Sequence, residues 1–134
     1  MATTRRHFLQ TTAATASALP AAGVQATRGA NDRIQFATIG IGGISTGDTS
    51  SALATDATKL MATCDVYQGR LTRVQEVFGK DIAVTRDYRE IRARKDVDAV
   101  VIATPDHWHA RIAIEAMEAG KDVYVEKPMV QKWE

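Results

Sequence analysis

The residues able to do chemistry fall at four points of the chain. Gly40, Gly42 and Gly43 form a glycine-rich turn, with Ile41 between the first two. Asp65 follows 25 residues after Gly40, and Arg70 shortly after that. Thr104-Pro105-Asp106-His107-Trp108-His109 puts two imidazoles beside a carboxyl. Glu126-Lys127-Pro128 puts an acid next to an amine. A glycine turn between an apolar run and a helix is a phosphate cradle. Gly40 permits a bend that a β-carbon would block. Gly42 leaves main chain open to a pyrophosphate, and a helix start offers free N–H groups and the positive end of its dipole. An acid at this distance can accept hydrogen bonds from ribose hydroxyls. It can equally be an ordinary turn aspartate. With the glycine turn ahead of it, the ribose role is preferred.

The elements around these points alternate. Ile34 to Ile39 reads as a first strand and Gly47 to Ala54 as a helix-compatible stretch. Lys59 to Cys64 is a second strand, ended by Asp65. Leu71, Val74 and Phe78 are spaced i, i+3, i+7 with Gly79 as a stop, the pattern of an amphipathic helix. Ile82 to Val84 is a short third strand, and Tyr88 with Ile91 anchors a short helix through Ala93. The arginines nearby alternate with acids and read as a solvated face. Ala99 to Ala103 is almost wholly apolar, as a strand buried on both faces would be. Pro105 ends it. Asp106 is expected to cap the next helix, whose buried stripe is expected at Ala110, Ala113, Ile114 and Met117, with Gly120 as the stop. Asp122 to Val125 is a fifth strand.

Strand–helix alternation with right-handed crossovers gives a five-stranded parallel α/β sheet, covered on both faces. Ligands of such sheets bind beyond the carboxyl ends of the strands. All four chemical points fall there. The third position of the glycine fingerprint calls for Gly or Ala. This chain has Ser45, still small enough for close helix–strand packing.

Bulk properties exclude several classes. The chain has 134 residues, 17 basic and 16 acidic, for a net charge of +1. Bulk attraction to nucleic acid or to an anionic membrane is not expected. Cys64 is the only cysteine, so neither an internal disulfide nor a cysteine zinc cluster can form. No long uncharged apolar stretch points to a membrane span. His107 and His109 stand at i, i+2 beside Asp106 without further ligands, and no metal site is expected.

Residues 1–31 differ from residues 32–134. Thr4-Arg5-Arg6-His7-Phe8-Leu9 resembles a twin-arginine export signal, with Leu9 to Ala22 as its apolar middle and Val24-Gln25-Ala26 as a cleavage region. A disordered tail and a mitochondrial transit peptide are the alternatives. Cleavage after Ala26 would remove Arg5 and Arg6 from the 17 basic residues, leaving 15 against 16 acidic. The expected location is periplasmic or secreted, with a cytoplasmic alternative.

From residue 34 onward the chain resembles the N-terminal domain of the Gfo/Idh/MocA oxidoreductases, the group of glucose–fructose oxidoreductase and inositol dehydrogenase. The motifs are Gly40-Ile-Gly-Gly, Cys64-Asp65-Val66, Ala103-Thr-Pro-Asp-His-Trp-His109 and Glu126-Lys-Pro128. The resemblance implies a Rossmann-type doubly wound sheet. It implies that Gly40, Ile41, Gly42 and Gly43 line a pyrophosphate and that Asp65 takes the adenosine ribose. Thr104 and Pro105 would border the nicotinamide ribose, and His109 would bond within its loop beside the cofactor. Lys127 would hold the reacting oxygen, with Glu126 positioning the nicotinamide side. NAD is the first choice of cofactor. NADP stays open through Arg70, which can equally be a solvated helix residue. Trp108 reads as packing. The family's second domain carries most substrate contacts, the usual acid/base histidine and much of the oligomer contact. The chain stops where the next helix should begin, so it is expected to be inactive alone as a sugar or polyol oxidoreductase. The alternative is a nucleotide-binding or interaction module without chemistry.

Overall fold

The computed structural model describes residues 33–131. The export-signal reading falls outside them. Five strands alternate with four helices: β1 Ile34–Ile39, α1 Gly43–Leu53, β2 Thr58–Cys64, α2 Gln68–Phe78, β3 Ala83–Thr85, α3 Tyr88–Ala93, β4 Ala99–Ile102, α4 His109–Glu118 and β5 Asp122–Val125. A single 3₁₀ turn, Asp106–Trp108, leads into α4. The sheet order is β3-β2-β1-β4-β5, and every pairing is parallel. The chain therefore runs outward from β1 through β2 to β3. It then crosses back to β4 and continues to β5. The strand order reverses between β1 and β4, and their carboxyl ends flank the crevice where such sheets take ligands.

Alternation along the strands builds two cores. Phe36, Leu60, Val74 and Ile82 pack with Ala52, Leu53, Phe78, Ala99 and Val101 on the α1/α2 face. Ala37, Ile39, Ala62, Cys64, Val100 and Ile102 pack with Ile91, Ile112, Ala113 and Ala116 on the α3/α4 face. Burying one such Leu or Ile side chain contributes about 2 kcal/mol relative to exposure. Beneath α1 the core is small and polar. Thr38, Thr63, Ser45 and Thr49 are fully buried. The Thr38 and Thr63 hydroxyls bond to each other at 2.9 Å, tying β1 to β2.

Three sequence expectations are corrected. α1 begins at Gly43, four residues before Gly47, because the glycine turn itself supplies the helix start. Asp106 does not cap α4; it opens the 3₁₀ turn, and α4 starts from Trp108 with no side-chain cap. The buried stripe of α4 is His109, Ile112, Ala113 and Ala116, while Ile114 and Met117 are more than half exposed. The helix is rotated from the expected phase because His109, a polar residue, occupies the first inward position. Of the four expected positions only Ala113 is buried; Ala110 is half-buried.

Candidate functional site

Gly40 ends β1 in the left-handed region, at φ +85°. A β-carbon there would lie 2.8 Å from the Ala103 carbonyl oxygen and 2.8 Å from the Thr104 nitrogen. Only glycine fits, and the turns after β1 and β4 touch because of it. The Gly40 N–H donates to the Cys64 carbonyl at 2.8 Å, so the turn after β1 is also tied to the end of β2. Gly42 and Gly43 differ. A β-carbon at Gly43 would meet nothing within 4 Å, and one at Gly42 only the Arg70 guanidinium carbon at 4.0 Å. The fold does not require glycine at these two positions. Their bare main chain opens onto space at the first turn of α1, where N–H groups are unpaired.

Asp65 lies directly beneath this turn and is 5% exposed. Its Oδ2 accepts from the Ile41 N–H at 3.0 Å, and its Oδ1 from the Tyr67 N–H at 2.8 Å. Arg70 Nη1 reaches Oδ2 at 3.3 Å. A carboxylate offers about four lone-pair sites. Three are engaged, so the acid both fixes the shape of the glycine turn and keeps capacity for a further donor. Arg70, its side chain half exposed, pairs with Asp65.

Two clefts meet at Arg70. One, of about 490 Å³, is lined by Gly40, Asp65, Val66, Tyr88, Thr104, Pro105 and Trp108 among others. The other, of about 360 Å³, is lined by Ile41, Gly42, Gly43, Thr46, Arg70 and residues of α2. Trp108 is partly exposed on the cleft wall. It is tilted against Tyr88 at 6.4 Å between ring centroids, and the Arg111 guanidinium sits 5.7 Å over its ring. Thr104 Oγ1 is buried and has no hydrogen-bond partner among the described residues.

The remaining expected residues divide. His109 is 2% exposed, with Nε2 2.7 Å from the Thr104 carbonyl of its own loop and Nδ1 2.7 Å from the Pro128 carbonyl after β5, so it reaches beyond the single loop in which it was expected to bond. Its ring presents nothing to the clefts. Glu126 accepts from the Tyr124 hydroxyl at 3.0 Å, and that carboxylate pushes the phenol's pKa up. Lys127 is exposed at the carboxyl end of β5, next to a cis bond to Pro128. Neither Glu126 nor Lys127 lines the two clefts. They lie on the same sheet edge as Gly40, because all five strands are parallel. No group of three or more His, Cys, Asp or Glu among the described residues could hold a metal ion.

Sequence reading missed the far wall of the larger cleft, Arg86 and Tyr88. Arg86 Nε donates to the Val66 carbonyl at 3.1 Å, joining the loop after β3 to the loop after β2. Both residues follow the carboxyl end of β3, so the strand-end rule that selected the other loops could have found them. The reading of this basic run as a solvated face holds only partly. Arg92 pairs with Glu115 and Arg94 with Asp96, and those partners pull both carboxyls' pKa values down; for Glu115 the bond from Arg111 matters most.

Residues 34–134 match the model of the oxidoreductase family with an NAD-binding Rossmann fold, Gfo/Idh/MocA. The chain belongs to this family. The Rossmann resemblance and the five-stranded doubly wound sheet are thereby established for it, with NAD as the family's cofactor. Among curated relatives, a glycosyl hydrolase family 109 protein of Shewanella sp. (strain W3-18-1) is 30% identical over 93% of this chain and 33% of its own length. The WlbA dehydrogenase of Bordetella pertussis, solved with NADH and UDP-GlcNAcA, is 30% identical with a TM-score of 0.68, covering 75% of this chain and 30% of its own. The scyllo-inositol dehydrogenase of Lactobacillus casei, solved with NAD(H) and scyllo-inositol, is 26% identical with a TM-score of 0.68, covering 75% and 29%. The chain thus spans about a third of the length of the curated and solved relatives it matches.

Proposed function

We propose that this chain is the cofactor-binding part of an oxidoreductase that acts on a sugar or polyol. The observation that carries the reading is the glycine turn at the strand-order reversal. Gly40 is required by the fold, while Gly42 and Gly43 leave open main chain that the fold itself does not need. The residues present fit a dinucleotide. The α1 N-terminus and the Gly42–Gly43 backbone would hold the pyrophosphate. Asp65, with acceptor capacity left, would take the adenosine ribose, and Val66 and Trp108 would wall the adenine. Thr104, whose buried hydroxyl lacks a partner, and Pro105 would border the second ribose. Arg70 beside Asp65 keeps NADP within reach, with NAD preferred because the acid would repel a 2′-phosphate.

When bound, the nicotinamide supplies the hydride acceptor or donor. Lys127, exposed and with no ion pair among the described residues, would hold the substrate oxygen and stabilise its alkoxide character as the C–H bond breaks. Glu126 would orient that loop. An alcohol's proton still needs an acceptor. On this reading that group and the substrate walls belong to the part of the relatives' length that this chain does not span, so turnover by the chain alone is not expected. The sugar and polyol ligands of the solved relatives support the substrate class. Calorimetric titration of the folded chain tests the reading: heat of binding with NADH is expected, and folded protein that gives none with either NADH or NADPH would overturn it. For residues 1–31 we keep the twin-arginine export reading and a periplasmic or secreted location; export that persists after Arg5→Lys and Arg6→Lys would end it.

A further inference from the structure

The two clefts at the carboxyl edge of the sheet lie toward the β3 end of the strand order. The larger takes its walls from the ends of β2, β3 and β4: Asp65 and Val66, Arg86 and Tyr88, Thr104 and Trp108. The smaller lies between the glycine turn and α2. No residue of β5, and none after it, lines either cleft. β5 is the edge strand on the other side. Beyond it Lys127, Met129 and Val130 are exposed.

A dinucleotide laid across the strand-order reversal, as proposed above, therefore meets two unequal halves. Its adenine, first ribose and pyrophosphate fall within the clefts. Trp108, braced by Tyr88 and Arg111, gives the base an aromatic face. The second ribose reaches Thr104, whose buried hydroxyl lacks a partner among the described residues. The nicotinamide ring extends past that point toward β5, where neither cleft reaches. A flat ring adds affinity by removing apolar surface from water. A ring without walls removes little. The loops around the other half are also tied to one another. The Asp65 N–H donates to the Thr85 carbonyl at 3.2 Å, Arg86 Nε to the Val66 carbonyl at 3.1 Å and the Ile41 N–H to Asp65 at 3.0 Å. Turns fixed before binding cost little to order when the ligand arrives. We infer that the chain recognises the ADP-ribosyl group of its cofactor, that the nicotinamide adds little affinity, and that free ADP-ribose is a ligand for the same site. The inference rests on the proposed function and adds to it which part of the dinucleotide is held.

Calorimetric titration of the folded full chain with NADH, ADP-ribose and reduced nicotinamide mononucleotide, at one pH and salt concentration, tests it. ADP-ribose and NADH carry the same pyrophosphate charge, so attraction to the α1 N-terminus is common to both. ADP-ribose should bind within about fivefold of NADH, and the mononucleotide at least about a hundredfold more weakly than NADH. A larger deficit for ADP-ribose, or a smaller one for the mononucleotide, would overturn the inference and leave the cofactor reading standing. Heat from none of the three would overturn the cofactor reading and the inference with it. A second arm uses Trp108→Ala, with the sheet checked by circular dichroism. It should weaken NADH and ADP-ribose by the same factor. A loss for NADH alone, or for neither, would overturn the place of the base in the larger cleft.

Discussion

The β-carbon that Gly40 lacks would sit 2.8 Å from the carbonyl oxygen of Ala103. The end of β1 and the end of β4 are therefore pressed together at the strand-order reversal, and the crevice beside them takes its shape from that contact. Gly40→Ala must either move two pieces of backbone or leave the left-handed region. It should destabilise the chain by about 2–3 kcal/mol. Gly43→Ala meets no such obstacle and should leave stability within about 1 kcal/mol while weakening NADH binding. Urea melts paired with calorimetry check both. Equal stability losses in the two variants would contradict the distinction.

Asp65→Asn keeps one acceptor oxygen but loses the charge that draws Arg70 and the two N–H groups. NADH binding should weaken by about tenfold or more, since hydrogen bonds to a charged group carry about 1.5–3 kcal/mol. Calorimetry on protein with an unchanged circular dichroism spectrum is the measurement.

The Cys64 thiol is buried at the end of β2, and its pKa is pushed up to about 12, first by burial and then by the Asp65 charge beside it. Only the thiolate attacks an alkylating reagent. Native protein should therefore resist iodoacetamide at mildly alkaline pH, with reactivity appearing only as pH approaches 12 or as the chain unfolds. Mass spectrometry of native and urea-unfolded samples reads this directly.

Ser45 is fully buried, and its hydroxyl finds no partner among the described residues. Ser45→Ala removes an unsatisfied group at a site that needs only smallness. It should be neutral or stabilising by up to about 1 kcal/mol. A thermal melt that falls by several degrees would show that the hydroxyl has a partner after all.

Lys121, which immediately precedes β5, is 7% exposed, and its ammonium donates to the Arg94 carbonyl at 2.6 Å and the Val97 carbonyl at 2.9 Å. It ties the end of α3 to the start of β4 at the sheet edge away from the clefts. Lys121→Met should cost about 1–3 kcal/mol in urea melts and leave NADH affinity unchanged.

The strands were legible because alternation and apolar runs are local signals. β1, β4 and β5 lie within a residue of where their patterns place them. The glycine turn was legible because Gly40 answers a steric demand at a fixed offset from a strand. The phase of α4 was not. Its inward face begins with a histidine whose role depends on two carbonyls, one of them 19 residues away. Ile114 and Met117 are apolar yet exposed, so a hydrophobic stripe read from spacing points the wrong way. Lys121 was illegible for the same reason: a buried ammonium is explained only by partners more than 20 residues distant. Asp65 was found by spacing, but its hold on the Ile41 N–H, which makes it part of the turn's support, needs the folded chain.

The most direct test of a dinucleotide at the β1/β4 crevice is an amide NMR titration of the folded chain with NADH. The account predicts that the largest shifts fall on Ile41, Gly42, Gly43, Val66 and Thr104, with the Lys121 edge of the sheet unmoved. Saturable shifts confined to residues away from those loops, or no shifts at all, would contradict it.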